Sequence, residues 1–167
     1  AGVLVNYFSD WAIKKKGEAQ QVKNLKFEIQ LDIEKVDKWL EEIVLYRNAT
    51  NGDTLDQYFG YFDFSRFIYV TANSMFISGL LYKYLDHEKI GLLQVITSEF
   101  SVNGEKFIND QLAQNRQKFI DSKNEMKSPL ATWTSKEKSG VVKNIDFWEK
   151  KFKEHKASLQ RILVHLK

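Results

Sequence analysis

Apolar positions recur at helical spacing in four long stretches of the chain, separated by clusters of turn-forming residues. In the first, Val22, Ile29, Val36 and Ile43 repeat every seven residues, and Ile33 and Leu40 follow Ile29 and Val36 by four. That stripe predicts a core-facing helix over about residues 3–47. It stops at Asn48–Asp53, where Asn51-Gly52 suits a helix C-terminus and Asp53 or Thr54 can cap the next helix.

The second stretch, 54–85, holds Tyr58, Phe59, Tyr61, Phe62, Phe64, Phe67, Tyr69 and Phe76. Its apolar residues occupy more than one helical face, which predicts the most buried helix. The sixteen residues Phe67 to Tyr82 carry no Asp, Glu, Lys or Arg. With Thr71, Asn73, Ser74, Ser78 and Gly79 among them, they fall short of the ~20 apolar residues of a membrane span.

The third stretch starts at Asp86-His87-Glu88, whose acidic residues suit the positive end of a helix dipole. Ile90, Leu93, Phe100, Ile108, Leu112 and Phe119 stay in phase across Asn103-Gly104, so one interrupted helix is predicted over 87–121. Residues 122–140 lose the period and contain Pro129 and Gly140, which marks the longest loop, with Trp133 expected to fold back onto the body. The last stretch, 141–166, is the most regular: Val141, Ile145, Trp148, Phe152, His155, Leu159, Ile162 and Leu166 alternate spacings of four and three.

These elements predict an all-α fold, an antiparallel four-helix bundle forming one domain over 1–167. The first helix is too long for its partners at ~65–70 Å, so its N-terminal part should project or pair with a second copy. Composition agrees: 167 residues with 43% hydrophobic content and one proline leave little room for the turns of an all-β fold. The absence of cysteine excludes disulfide scaffolds, thiolate metal sites and cysteine nucleophiles.

Charge changes the picture more. The net +3 hides a balanced first third, a net of −3 over 51–100 and a net of +6 over 101–167. Lys143, Lys150, Lys151, Lys153, Lys156 and Arg161 form a candidate contact face for nucleic acid or an anionic surface. Interleaved Asp146, Glu149 and Glu154 favour an ordinary solvated helix face instead, which disfavours nucleic acid.

The N-terminus carries the sharpest order of residues. Small and apolar residues come first, then Tyr7, Phe8 and Trp11, then Lys14, Lys15 and Lys16. Hydrocarbon, aromatic belt and basic anchor succeed each other in this way where a helix leaves a membrane, which points to a tether upstream of Ala1 and favours the cytoplasmic face. An ordinary amphipathic first turn, in a soluble cytoplasmic protein, is the alternative. With Ser78-Gly79-Leu80-Leu81 and Asp86-His87-Glu88-Lys89-Ile90, this N-terminus resembles uncharacterised bacterial membrane-anchored helical-bundle proteins over about residues 3–100. The resemblance implies a tethered bundle and assigns no catalytic residue.

Chemistry is sparse. The three histidines, His87, His155 and His165, stand in no Glu-x-x-His or HExxH pattern, and no G-x-S-x-G elbow or glycine-rich phosphate loop occurs. His155 reads as a satisfied seam residue. Asp63 and Arg66, three apart, read as a surface pair. Tyr58, Tyr61, Tyr69, Tyr82 and Tyr84 could line an interhelical ligand pocket, although aromatic stripes usually pack as core. The expected function is therefore non-catalytic, without catalytic residue, cofactor or metal. It would work through contact with a protein partner, including self-association through the first helix. A basic binding module and an aromatic ligand sensor are the alternatives.

Overall fold

The computed structural model describes residues 2–125 and 133–166, and for residues 2–10 and Arg66 the backbone alone. Among the described residues six α-helices are present: α1 (Gly2–Asn51), α2 (Val70–Ile77), α3 (Leu81–Tyr84), α4 (His87–Glu99), α5 (Val102–Glu125) and α6 (Ser135–His165). Single 3₁₀ turns occupy Leu55–Gln57 and Phe64–Arg66, and no strand occurs among the described residues. The fold is all-α.

The two most regular stripes make the two longest helices, which lie against each other in opposite directions. Arg47 of α1 meets Asp146 at 2.8 Å and Glu149 at 2.5 Å, and ten residues back along α1 Asp37 meets Lys156 at 2.5 Å. Leu25, Ile29, Val36 and Ile43 share one core with Ile145, Phe152, Leu159 and Ile162.

The helix predicted over 54–85 does not form as one element. Between Tyr58 and Phe67 the chain forms no α-helix, only the 3₁₀ turn at Phe64–Arg66 with extended backbone at Tyr58, Asp63 and Phe67. The α-helix returns in α2 and the single turn of α3. Phe62, Phe64 and Phe67 are all buried, and short turns with extended links can aim all three inward where one helix face could not. Phe64 packs 4.7 Å from Trp39 and 5.1 Å from Phe100, ring centroid to centroid. The backbone groups this leaves without helical partners are met from α5. Asn109 accepts the Phe62 N–H at 3.0 Å and donates to its carbonyl at 2.9 Å. Glu105 accepts the N–H groups of Phe64 at 2.7 Å and Ser65 at 3.1 Å. Distant side chains thus replace the local ladder that propensity assumes.

The helix predicted over 87–121 is two helices, and the break falls at Phe100-Ser101, ahead of Asn103-Gly104. Gly104 permits the corner: a Cβ there would lie 1.9 Å from the carbonyl oxygen of Glu99. Phe100 turns inward at the break and packs 4.8 Å from Trp39.

The predicted loop 122–140 is also shorter. α5 continues to Glu125, and α6 begins at Ser135 rather than 141. Thr134 caps α6 in a reciprocal box with Glu137, each side chain accepting the other's backbone N–H. Trp133 folds back as expected, buried edge-on against Phe119 at 5.1 Å. Asp53 holds this start in place by accepting the Trp133 N–H and the Lys138 ammonium. Thr134→Ala is expected to cost about 1 kcal/mol of unfolding free energy in urea titration, with α6 intact by circular dichroism.

α1 is long, as the sequence suggests: 50 residues span ~75 Å, against ~46 Å for the 31 residues of α6. Glu18 pairs with Lys83 beside α3, and the sixteen helical residues before it extend ~24 Å further. No helix among the described residues is long and apolar enough to cross a membrane.

Candidate functional site

The extension of α1 bears the residues singled out at the N-terminus. Tyr7 and Phe8 lie on its helical backbone, and their side chains fall outside the described structure. Trp11 is half exposed, and Lys14, Lys15 and Lys16 are exposed. The Lys15 ammonium sits 4.2 Å from the Trp11 ring centroid, a cation–π contact that keeps the aromatic and basic groups together. Where the extension meets the body, the hydrogen bond from Lys83 holds the Glu18 carboxyl below the usual carboxylate range.

The basic residues of α6 do not make a continuous cationic face. Lys151 binds Glu99 at 2.6 Å, Lys153 binds Glu149 at 2.5 Å, Lys156 binds Asp37 at 2.5 Å, and Lys150 stands 3.9 Å from Glu154. Lys143 and Arg161 are exposed. Lys151 and Lys156 tie α6 to α4 and α1, so phosphate binding there would have to displace carboxylates already in place.

Two acidic residues that sequence reasoning passed over are among the most buried polar groups. Glu28 and Asp32, one helical turn apart on α1, are 5% and 2% exposed. Glu28 accepts the N–H groups of Thr71 at 2.7 Å and Ala72 at 3.0 Å, which belong to the first turn of α2. Asp32 accepts the N–H of Ile68 at 2.8 Å. The pair thus caps α2 from a neighbouring helix, satisfying amides that have no partner within α2 and complementing its dipole. Burial pushes the Asp32 carboxyl up to about 7, with the neighbouring charge of Glu28 adding to the rise and the Ile68 hydrogen bond and Lys35 opposing it. The signal was present in the sequence: at positions 28 and 32, carboxylates flank the apolar stripe residues Leu25, Ile29 and Ile33.

A second cluster joins α4 to α6. His155 is buried in the seam, its Nε2 2.5 Å from a Glu99 oxygen and its ring 5.1 Å from Phe100. Burial works against the Glu99 charge, but hydrogen bonds from Lys151 and His155 outweigh it and hold the carboxyl below its ordinary value. Each group of the cluster is engaged by another, and the arrangement acts as a clamp.

The tyrosines do not surround a shared cavity. Tyr58 donates to the Glu42 carboxylate at 3.0 Å, Tyr61 donates to Glu105 at 2.5 Å, and Tyr69 and Tyr82 are exposed. Burial, with the adjacent Glu42 charge, pushes the Tyr58 hydroxyl up. An apolar cleft of about 210 Å³ lies between α2 and α4, lined by Tyr69, Ala72, Phe76, Ile90 and Leu93. It is smaller than an ordinary small-molecule pocket of ~300–1,000 Å³. Among the described residues, no three His, Asp or Glu side chains are grouped to hold a metal ion. No protein family, curated protein or solved structure matches the chain.

Proposed function

We propose that this chain is a non-catalytic helical domain of antiparallel-bundle type, held at a bacterial membrane through its N-terminal region and acting by contact with other proteins. The observation that carries the reading is the extension of α1, sixteen helical residues beyond the body with Trp11 and Lys14 to Lys16 exposed along it. An aromatic residue followed by a basic run is the order found where a helix leaves the hydrocarbon for the headgroup layer. The titratable clusters support a binding role over catalysis, since Glu28 and Asp32 are taken by backbone amides and Glu99 by Lys151 and His155. The cytoplasmic side fits the lysine run, because basic residues flank membrane segments mostly on that side.

Fractionation of cells making the native protein tests the tether. The protein is expected in the membrane pellet, resistant to alkaline carbonate and released by detergent. Recovery in the supernatant without detergent would sink the tether. Cross-linking in intact cells then tests the second half, and a protein that cross-links to no other polypeptide removes the contact role.

A further inference from the structure

Phe67 to Tyr82 carries no Asp, Glu, Lys or Arg, yet much of it faces water. The outer face of α2 is Val70, Asn73, Ser74 and Ile77, at positions i, i+3, i+4 and i+7. Val70 is 74% exposed and Ile77 77%. A helix face turned to water normally carries charge, and this one carries none. After α2 the chain turns at Gly79, whose φ of +74° suits glycine, and continues with Leu81 buried and Tyr82 half exposed. The Tyr82 ring is fixed 5.8 Å from Phe76 and 5.9 Å from His87.

The placement of this knuckle is set by three contacts along α1. Asp32 takes Ile68, Glu28 takes Thr71 and Ala72, and Glu18 takes Lys83. The segment therefore runs back along α1 toward its N-terminus. Its tip lies at the end of the body from which the extension leaves, close to Lys14, Lys15 and Lys16.

We propose that the α2–α3 knuckle is a lipid-contact element, with Ile77 and Tyr82 entering the headgroup layer of an anionic bilayer while Lys14, Lys15 and Lys16 meet its phosphates. The proposal takes its orientation from the membrane reading of α1. Charge decides the occupant: Lys14, Lys15 and Lys16 stand exposed at this end, and residues 67–82 carry no carboxylate of their own. The neighbouring Glu18 and Asp86 are taken by Lys83 and Lys89, which leaves the lysine run as the complement of an anionic lipid surface. The apolar element is also only two helical turns long, too small for a specific protein interface of about 800 Å² per partner, yet suited to shallow insertion. Tyrosine, with an apolar ring and a polar tip, fits the boundary between the two phases.

The chain has no cysteine, so single cysteines can carry an environment-sensitive fluorophore at chosen positions. Ile77→Cys reports the knuckle and Ile13→Cys the extension. Val102→Cys is the reference, 79% exposed at the start of α5 and remote from this end. With vesicles of phosphatidylcholine and phosphatidylglycerol, the label at 77 is expected to shift to the blue and that at 102 to stay unchanged. Ile77→Asp is expected to weaken vesicle binding about tenfold or more with the melting temperature unchanged, and phosphatidylcholine alone to bind at least about tenfold more weakly. An unshifted label at 77, or an aspartate variant that binds as wild type, overturns the proposal. So does a label at 77 that responds only to detergent-solubilised membrane proteins, which assigns the surface to a protein. A shift at 13 without one at 77 overturns the knuckle and leaves the reading of α1 standing, whereas a shift at 77 without one at 13 supports the knuckle and counts against that reading.

Discussion

Replacing Phe152 by alanine is expected to lower the unfolding free energy by about 3–5 kcal/mol, the largest loss from any single truncation in this fold. Phe152 is fully buried, and its ring lies within 6.1 Å, centroid to centroid, of Trp39, Phe62, Phe64, Phe100 and Trp148. Those rings come from α1, the 58–67 segment, the α4–α5 corner and α6. One side chain therefore joins the α1–α6 pair to the 58–67 segment and the α4–α5 corner. Neighbours anchored on separate elements cannot all collapse into the space left behind, which places the cost high in the usual range. Urea unfolding of the variant should show a lower midpoint with an unchanged slope. A loss below about 1 kcal/mol would mean that the aromatic cluster repacks freely and does not organise the fold.

Asp32→Asn is expected to act in the opposite direction, stabilising the protein at pH 8 and leaving it nearly unchanged at pH 4. The Asp32 carboxyl titrates at about 7 in the folded chain, against an ordinary value of 3.8. Between those values the folded state keeps a proton that the unfolded state has released. Stability from this group is therefore full below about pH 4, falls as pH rises toward 7 and is flat above it. Asparagine retains an oxygen for the Ile68 N–H and never carries the buried charge. The gain over wild type at pH 8 should be of order 2–4 kcal/mol and should vanish toward pH 4. Glu28→Ala, by contrast, leaves two amides of α2 without their acceptor and should cost about 2–4 kcal/mol. Unfolding at pH 4, 6 and 8 separates the two cases, and a wild-type-to-Asn difference that does not change with pH would remove Asp32 as the source.

The difference between these two residues and the aromatic cluster shows what the sequence made legible. α1 and α6 were readable because each buries one stripe against one neighbour, so spacing alone carries the information. The segment 54–85 was not. Phe62, Phe64 and Phe67 point inward from a non-helical backbone whose Phe62 and Phe64 N–H groups are met by Asn109 and Glu105, more than forty residues away. No local pattern encodes those acceptors. The α4–α5 corner was half legible: Gly104 was visible as an interruption, but its need to clear the Glu99 carbonyl exists only once the chain has turned. Of the candidate sites, Trp11 and Lys14 to Lys16 lie exposed on the helix that the periodicity predicts. The α6 lysines were legible as charge but not as ion pairs, since the carboxylates that meet Lys151 and Lys156 arrive from other helices. Glu28 and Asp32 were missed because a charged residue beside an apolar stripe ordinarily faces water.

The continuity of α1 has a mechanical consequence. No break separates the extension from the part of the helix that packs in the core, so the two share a single azimuth. Each residue of an α-helix turns ~100° and advances ~1.5 Å. One residue inserted beside Gly17 would swing the whole body about a quarter turn around the α1 axis, whereas seven would return it to within ~20° of its original bearing. The bearing of the helical body relative to the basic run is thus written into the residue count between Lys16 and the core.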